Sequence, residues 1–199
     1  TLDQRLPVSK RASGMPPSKL GLKRGDTISV ENAILALAPK SANDVACAVG
    51  EHLGGNESAF AQAMTARARQ LGMSRTVFRN ASGLPDSAQV TTARDMAILG
   101  RALQDKFPRS FRYFREKTFK WKGRTYTNHN NLLGRVDGVD GIKTGYTRAS
   151  GYNLVCSAER RRTEIIAVVL GGDTARARDD RMKQLLEEYL PSERRGIFG

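Results

Sequence analysis

Hydrophobic side chains recur at helical spacing in the first half of the chain. Val30, Ile34 and Leu37 lie three or four positions apart, and Ser29 precedes them as a residue suited to cap a helix. Pro39 follows, and proline cannot continue the hydrogen-bond pattern of a helix. We therefore expect a first helix between Ser29 and Pro39. The residues before it are rich in proline and glycine, which favours loop and short strands.

Two more helices are expected directly afterwards. Ser41 and Asp44 stand at the spacing of a capping box, and a glycine pair at 54–55 ends the apolar pattern that follows them. A third helix is expected over residues 57–71, closed by Gly72.

A fourth helix has clear signals at both ends. Thr92 is followed three residues later by Asp95, which is typical of a helix start, and Pro108 is expected to end the helix. Its apolar positions are Met96, Leu99, Leu103 and Phe107.

After this helix the hydrophobic period changes to two, which is typical of strands. The pattern predicts a hairpin over residues 119–126 and a final helix over 175–190. Three strands with short connections, expected to form an antiparallel meander, cover 141–146, 152–158 and 163–170. Helices first, then an antiparallel sheet, then a terminal helix indicate an α+β fold with helices flanking the sheet. A complete domain of this kind would need further strands.

The composition adds a formal net charge of +13, which is compatible with an anionic partner. The charge is scattered, and no nucleic-acid-binding signature accompanies it, so we expect no nucleic-acid partner. Cys47 and Cys156 have apolar neighbours and are expected to be buried free thiols. His52 and His129 form no local cluster with them, so we expect no metal and no cofactor.

Two tripeptides are of the kind that carry acyl-transfer chemistry. Lys143-Thr144-Gly145 lies on the first strand of the expected meander, where it can offer a cation and a hydroxyl to a substrate carboxylate. Its glycine leaves room for a peptide to pair with the strand edge. In Ser41-Ala42-Asn43, the serine hydroxyl can pass a proton to a leaving amine, and the asparagine amide can hold a substrate backbone.

Each tripeptide taken alone also has a purely structural interpretation. Ser41 fits a helix cap, and Lys143-Thr144-Gly145 fits an ordinary edge strand that ends in a turn glycine. The wider sequence decides between these interpretations, because further segments occur in the order typical of one family. These segments are PSKLGL at 17–22, SAND at 41–44, NASGLP at 80–85, NHNNLL at 128–133, VDGIKTG at 139–145 and GYNL at 151–154.

In these segments the chain resembles the low-molecular-mass, penicillin-binding D-alanyl-D-alanine carboxypeptidases. The resemblance covers nearly the whole chain and implies the penicillin-binding, β-lactamase-like transpeptidase fold. It also implies a reaction in which a serine attacks the bond between two terminal D-alanines of a peptidoglycan stem peptide, and water then releases the acyl-enzyme.

Carried over by motif, the resemblance implies roles for individual residues. Ser41 and Asn43 would form the second catalytic element, and Lys143 would act both in catalysis and in substrate binding. Substrate-binding roles would also fall to Thr144, Gly145, Thr147 and Arg178. Many relatives have histidine at the position of Tyr146, so no role follows for Tyr146. Arg178 also has the alternative interpretation of a helix-surface arginine.

One family element is missing from the sequence. Relatives carry Ser-x-x-Lys upstream of everything matched here, and none of the lysines of this chain has a serine three residues before it. We therefore expect residues 1–199 to form a partial serine carboxypeptidase domain, without its N-terminal part and with no second domain. Three hypotheses remain: part of a serine carboxypeptidase, a non-catalytic peptidoglycan-binding relative, and, least favoured, a basic nucleic-acid-binding domain.

The resemblance also implies partners and a location. The expected partners are a stem peptide that ends in D-Ala-D-Ala, β-lactam antibiotics, and the missing N-terminal segment of the same protein. The expected location is extracytoplasmic, in the periplasm or cell envelope, with any membrane association provided by segments that this chain does not contain.

Overall fold

The computed structural model describes residues 1–191, which form an α+β arrangement of helices and antiparallel sheets. No helix in this described part is long and apolar enough to span a membrane. The helices are α1 Lys10–Ser13, α2 Val30–Leu37, α3 Asn43–Gly54, α4 Glu57–Gln70, α5 Ala93–Lys106, α6 Pro108–Phe111 and α7 Ala175–Tyr189. The strands are β1 Arg5–Pro7, β2 Thr27–Ser29, β3 Thr118–Trp121, β4 Arg124–Thr127, β5 Val139–Thr147, β6 Gly151–Arg160 and β7 Thr163–Gly172.

Two of the predicted helix caps are confirmed in atomic detail. The side chain of Ser29 accepts a hydrogen bond from the backbone N–H of Asn32, at the start of α2. Thr92 accepts from the N–H of Asp95 in the same way, at the start of α5. Each cap satisfies a backbone donor that has no partner inside its helix, so these local signals placed both helix starts correctly.

The capping box expected at Ser41 and Asp44 is wrong. Helix α3 begins at Asn43, its N-cap is Ala42, and no side chain caps it. The carboxylate of Asp44 instead accepts hydrogen bonds from the backbone N–H groups of residues 20–22, at 2.9 to 3.0 Å. Asp44 therefore ties a distant loop to the start of α3, a contact that sequence spacing could not indicate.

Pro108 does not simply end α5, as predicted, but begins the short helix α6. Proline at the first position of a helix loses only a hydrogen bond that this position would not make. A 3-10 turn over Arg112–Arg115 follows α6 directly. Phe107, which was assigned to the apolar stripe of α5, is 54% exposed between the two helices.

The predicted antiparallel meander is confirmed. β6 pairs with β5 on one side and with β7 on the other, so β5 is an edge strand of this sheet within residues 1–191. The predicted hairpin is also present as β3 and β4. Along β5, Lys143 pairs with Val155 and Gly145 pairs with Asn153.

Helices cover both faces of the meander. Helix α7 packs on β6 and β7, and its Met182 and Leu186 join Leu154 and Cys156 in one core. Helix α5 packs on the opposite face, where a Cβ atom at Gly100 would lie only 3.0 Å from a methyl group of Ile166. A side chain at this glycine would push the helix away from the sheet.

Both cysteines are buried free thiols, as predicted. Burial is the main cause that raises the pKa of Cys47 to about 11 and the pKa of Cys156 to about 12. Neither thiol is therefore a nucleophile at neutral pH, because the thiolate is the reactive form.

We predict that Asp44→Ala lowers the free energy of unfolding by about 3 kcal/mol or more, because it leaves three backbone N–H groups at residues 20–22, of which that of Leu22 is buried, without their acceptor. Chemical denaturation measures this change. The matched control is Asp86→Ala, which removes an exposed carboxylate that accepts from one turn N–H, and it should cost less than about 1 kcal/mol. Equal losses in the two variants would contradict the proposed anchoring role of Asp44.

Candidate active site

The Ser-Ala-Asn tripeptide lies in the turn between α2 and α3 and is fixed through its backbone. Ser41 has a positive φ of 58°, and its N–H donates to the carbonyl of Leu37. The N–H of Asn43 donates to the carbonyl of Ser18 at 2.7 Å, and its side-chain amide donates to the carbonyl of Pro16 at 3.0 Å. Segment 16–22 therefore holds this tripeptide in place, with Asp44 anchoring the other end of the segment.

Lys143 on β5 carries a charge that no carboxylate of the described residues neutralises. Its Nζ donates to the backbone carbonyl of Thr144 at 2.9 Å, and it takes part in none of the ion pairs found within residues 1–191. Burial is the main cause that lowers the pKa of Lys143 to about 8, and the positive charge of Arg178 lowers it further. At neutral pH the side chain is still mostly protonated, so it attracts an anion.

Gly145 stands at the open edge of the sheet, two residues beyond Lys143. A Cβ atom placed on Gly145 would meet no protein atom within 4 Å, and the backbone of Gly145 does not need a positive φ. Packing and backbone conformation within the described chain therefore give no reason for a glycine here. An approaching ligand backbone does give one, since a peptide that pairs with β5 would occupy this space.

Arg178 is buried, and the alternative of a helix-surface arginine is wrong. It lies in the first turn of α7 and is only 4% exposed. Its Nε and Nη2 both donate to one carboxylate oxygen of Asp179, at 3.0 and 2.8 Å, and Nη1 lies 3.5 Å from the carbonyl of Asn153. The other carboxylate oxygen of Asp179 accepts from the amide of Asn131 at 3.1 Å. This chain of contacts fixes the guanidinium, with Nη1 beside the strand residue that pairs with Gly145.

The imidazole of His129 connects the two motifs. Partial burial is the main cause that lowers the pKa of His129. The positive charges that lower this pKa further belong to Lys143, Lys40 and Arg178. Lys40 directly precedes Ser41 in the sequence, so charges on the α2–α3 turn, on strand β5 and at the start of α7 all act on this one ring. This supports the expected common cleft for Ser41 and Lys143, although the two side chains do not hydrogen-bond each other.

The remaining predicted residues stand further along β5. The hydroxyl of Thr147 lies 2.6 Å from that of Ser150 and accepts from the N–H of Ser150, so it closes the β5–β6 turn. Tyr146 is 59% exposed, and its ring lies 4.4 Å from that of Tyr152 between centroids. Thr144 is half-buried between these residues and Lys143. The structure thus groups Lys143 with Arg178 and His129, and it gives Thr147 a structural contact.

Sequence reasoning missed three residues of this site. Lys40 directly precedes the segment SAND at 41–44, and His129 lies within NHNNLL at 128–133, but the sequence analysis assigned a role to neither residue. Asp179 was missed as well, because an acidic residue next to an arginine on a helix normally indicates only surface charge.

Comparisons with known proteins agree with this geometry. A family model described as D-alanyl-D-alanine carboxypeptidase matches residues 1–174. Among curated relatives, D-alanyl-D-alanine carboxypeptidase DacD of Escherichia coli is 35% identical over 170 residues, which cover 85% of this chain and 44% of that protein. The chain therefore spans less than half the length of this relative.

Solved structures show the same fold. The D-alanyl-D-alanine carboxypeptidase DacD from Francisella tularensis matches 94% of this chain and 58% of its own, with a TM-score of 0.92 and 30% identity. Penicillin-binding protein D2 from Listeria monocytogenes in its ampicillin-bound form matches 94% of this chain and 76% of its own, with a TM-score of 0.83 and 32% identity. These matches confirm the predicted α+β, penicillin-binding fold.

We predict that Lys143→Met raises the free energy of unfolding at pH 7 by about 2–3 kcal/mol, because it removes a half-buried charge that lacks a counter-ion within residues 1–191. The folded-state pKa of about 8 lies below the ordinary value of 10.5, so the unfolded chain binds the proton more tightly. The gain is therefore complete below pH 8 and disappears as the pH rises to about 10.5. Denaturation curves across this range, with the exposed Lys23→Met as control, measure the effect. A gain that does not depend on pH would contradict the assignment.

Proposed function

Because this chain belongs to the D-alanyl-D-alanine carboxypeptidase family of serine peptidases, we propose that its residues bind substrate and relay protons in that reaction. The observation that carries this proposal is an uncompensated, protonated Lys143 beside the open, glycine-bearing edge of β5. A half-buried cation next to an unpaired strand edge suits a peptide that ends in a free carboxylate.

The substrate is a peptidoglycan stem peptide that ends in D-Ala-D-Ala. Its backbone adds to the edge of β5 at Gly145, where the absence of a side chain permits close approach. Its terminal carboxylate pairs with Lys143, with the hydroxyl of Thr144 and Nη1 of Arg178 as further donors. Asp179 and Asn131 keep the guanidinium in position for this contact.

Proton transfer belongs to Ser41 and its neighbours. When the acyl-enzyme forms, the bond between the two D-alanines breaks and the leaving amine needs a proton. The hydroxyl of Ser41 supplies that proton and recovers the one that the attacking hydroxyl releases, so Lys143 keeps its charge for the substrate carboxylate. The side-chain amide of Asn43 is anchored by its donation to the carbonyl of Pro16, and its second N–H and its oxygen hold the substrate backbone.

Acylation needs a nucleophile, and these 199 residues do not contain the Ser-x-x-Lys motif that supplies it in the family. No Ser-x-x-Lys occurs in the sequence, and Ser41 has no lysine spaced to activate it. Both cysteines are buried with raised pKa values. We propose that a Ser-x-x-Lys segment completes the site and that β-lactams acylate the completed site. We also propose that the protein acts outside the cytoplasm, where peptidoglycan lies. Without such a segment, the same cleft would serve a non-catalytic peptidoglycan-binding protein.

We predict that labelled penicillin forms no covalent adduct with the 199-residue chain, whereas a longer form that contains a Ser-x-x-Lys segment is acylated. Intact-mass measurement after incubation detects the adduct, and heat-denatured longer protein is the control for non-specific reaction. An adduct on the shorter chain would contradict the division of roles, and the modified residue would identify the nucleophile. No adduct on the longer form would exclude the enzymatic hypothesis.

We predict that Gly145→Ala weakens the binding of diacetyl-L-Lys-D-Ala-D-Ala by about tenfold or more, while the free energy of unfolding changes by less than about 1 kcal/mol. The added methyl group meets no protein atom, so its effect falls on the ligand. Isothermal titration calorimetry and denaturation measure the two quantities, with the L-Ala-L-Ala peptide as control ligand. Unchanged affinity in a folded variant would show that peptides do not approach this edge.

A further inference from the structure

Asn153 belongs to the segment GYNL at 151–154, and no role for it follows from the family resemblance. It lies on β6 directly opposite Gly145, the glycine of the open edge. Its side-chain amide nitrogen lies 3.0 Å from the carbonyl of Gly151, 3.2 Å from the hydroxyl of Ser150 and 3.4 Å from the carbonyl of Gly145. The donor end of this amide therefore contacts the β5–β6 turn and the edge strand together.

The oxygen of the same amide contacts the strand on the other side of β6. It accepts a hydrogen bond from the N–H of Gly171 on β7, at 2.9 Å. Between Tyr152 and Leu154 the pairing of β6 with β7 is interrupted, because β7 contains one extra residue there. The side chain of Asn153 thus supplies an acceptor within the interrupted stretch, where regular sheet pairing does not.

The contact with Gly171 leads directly to Arg178. Gly172, the next residue, ends β7, and a Cβ atom placed on it would lie 3.0 Å from Cβ of Arg178. Nη1 of Arg178 lies 3.5 Å from the backbone carbonyl of Asn153 itself. Arg178 therefore packs against the end of β7 that the Asn153 side chain holds, and its guanidinium reaches back to the same residue.

A role in closing the β5–β6 turn does not account for these contacts. The hydroxyls of Thr147 and Ser150, 2.6 Å apart, already close this turn. The contacts of Asn153 with Gly145 and Gly171 instead reach the strands on both sides of β6, so one side-chain amide joins three strands. An amide has a donor and an acceptor on one planar group, and an apolar side chain of similar size would make neither contact.

We propose that Asn153 is a positioning residue of the carboxylate-binding site, because its side chain fixes the Gly145 edge of β5 relative to Arg178. This inference rests on the proposed function, in which the peptide adds to that edge and Lys143 and Arg178 bind its terminal carboxylate. Loss of the amide leaves the binding groups present but no longer at a fixed spacing. It therefore weakens recognition of the carboxylate more than binding of the rest of the peptide.

The test compares diacetyl-L-Lys-D-Ala-D-Ala with its C-terminal amide, which lacks the terminal negative charge, by isothermal titration calorimetry at pH 7. The chain is measured as wild type, Asn153→Ala and Asn153→Thr. Threonine favours a strand, so this second variant protects the fold, but its short hydroxyl cannot reach partners on both sides of β6.

Two further variants are controls. Ser150→Ala removes contacts within the β5–β6 turn alone. Asn80→Ala removes another half-buried asparagine side chain, whose hydrogen bonds all lie within its own loop at residues 80–84. These controls separate a turn contact, and a general loss of stability, from the positioning role.

The readout is the ratio of acid to amide affinity, measured on protein whose folding is checked by chemical denaturation. We expect a ratio of about ten or more in the wild type and in both controls, and a ratio about fivefold below wild type in the two Asn153 variants. An unchanged ratio in the Asn153 variants, an equal fall in either control, or failure of both Asn153 variants to fold would overturn the inference and leave the proposed function intact. If the wild type does not bind the acid, or binds the amide equally well, the proposed function fails and this inference fails with it.

Discussion

The site depends on one buried carboxylate, that of Asp44. Its oxygens accept hydrogen bonds from the backbone N–H groups of residues 20–22. These bonds hold segment 16–22 against the start of α3. The same segment then accepts hydrogen bonds from Asn43 and positions the hydroxyl that holds Lys40. The Ser41-Ala42-Asn43 tripeptide is therefore positioned by a neighbouring carboxylate, and removal of that carboxylate would displace Ser41 without altering its side chain.

The second constraint on the site is electrostatic. Lys143, Lys40 and Arg178 act on a single imidazole, and mutual repulsion between cations opposes this arrangement. Only Arg178 is neutralised, by Asp179. The unpaired charge of Lys143 therefore opposes folding in the absence of ligand, and an anion that binds beside it offsets this cost. The +13 net charge of the chain strengthens the attraction for anionic peptides at long range, more so at low salt.

Local chemistry explains which features the sequence could predict. The caps at Ser29 and Thr92 and the period-two meander depend on neighbours within a few residues, and all are present in the structure. Asp44 has the same local signature as a cap but bonds to a loop about twenty residues away. The motifs identified Lys143 and Ser41 as candidates, whereas the roles of Lys40, His129 and Asp179 depend on contacts between segments that are distant in sequence.

The central claim is that a protonated Lys143 binds the substrate carboxylate, and the pH dependence of binding tests it most directly. With diacetyl-L-Lys-D-Ala-D-Ala, whose amines are blocked, the only change in ligand charge occurs far below neutral pH. Because the pKa of Lys143 is about 8, affinity should be nearly constant from pH 6 to 7 and fall as the pH rises above 8. The account predicts binding roughly thirtyfold weaker at pH 9.5 than at pH 7, and weak, nearly pH-independent binding in Lys143→Met. Affinity that stays constant through pH 9.5 in the wild type, or a fall that persists in Lys143→Met, would contradict it.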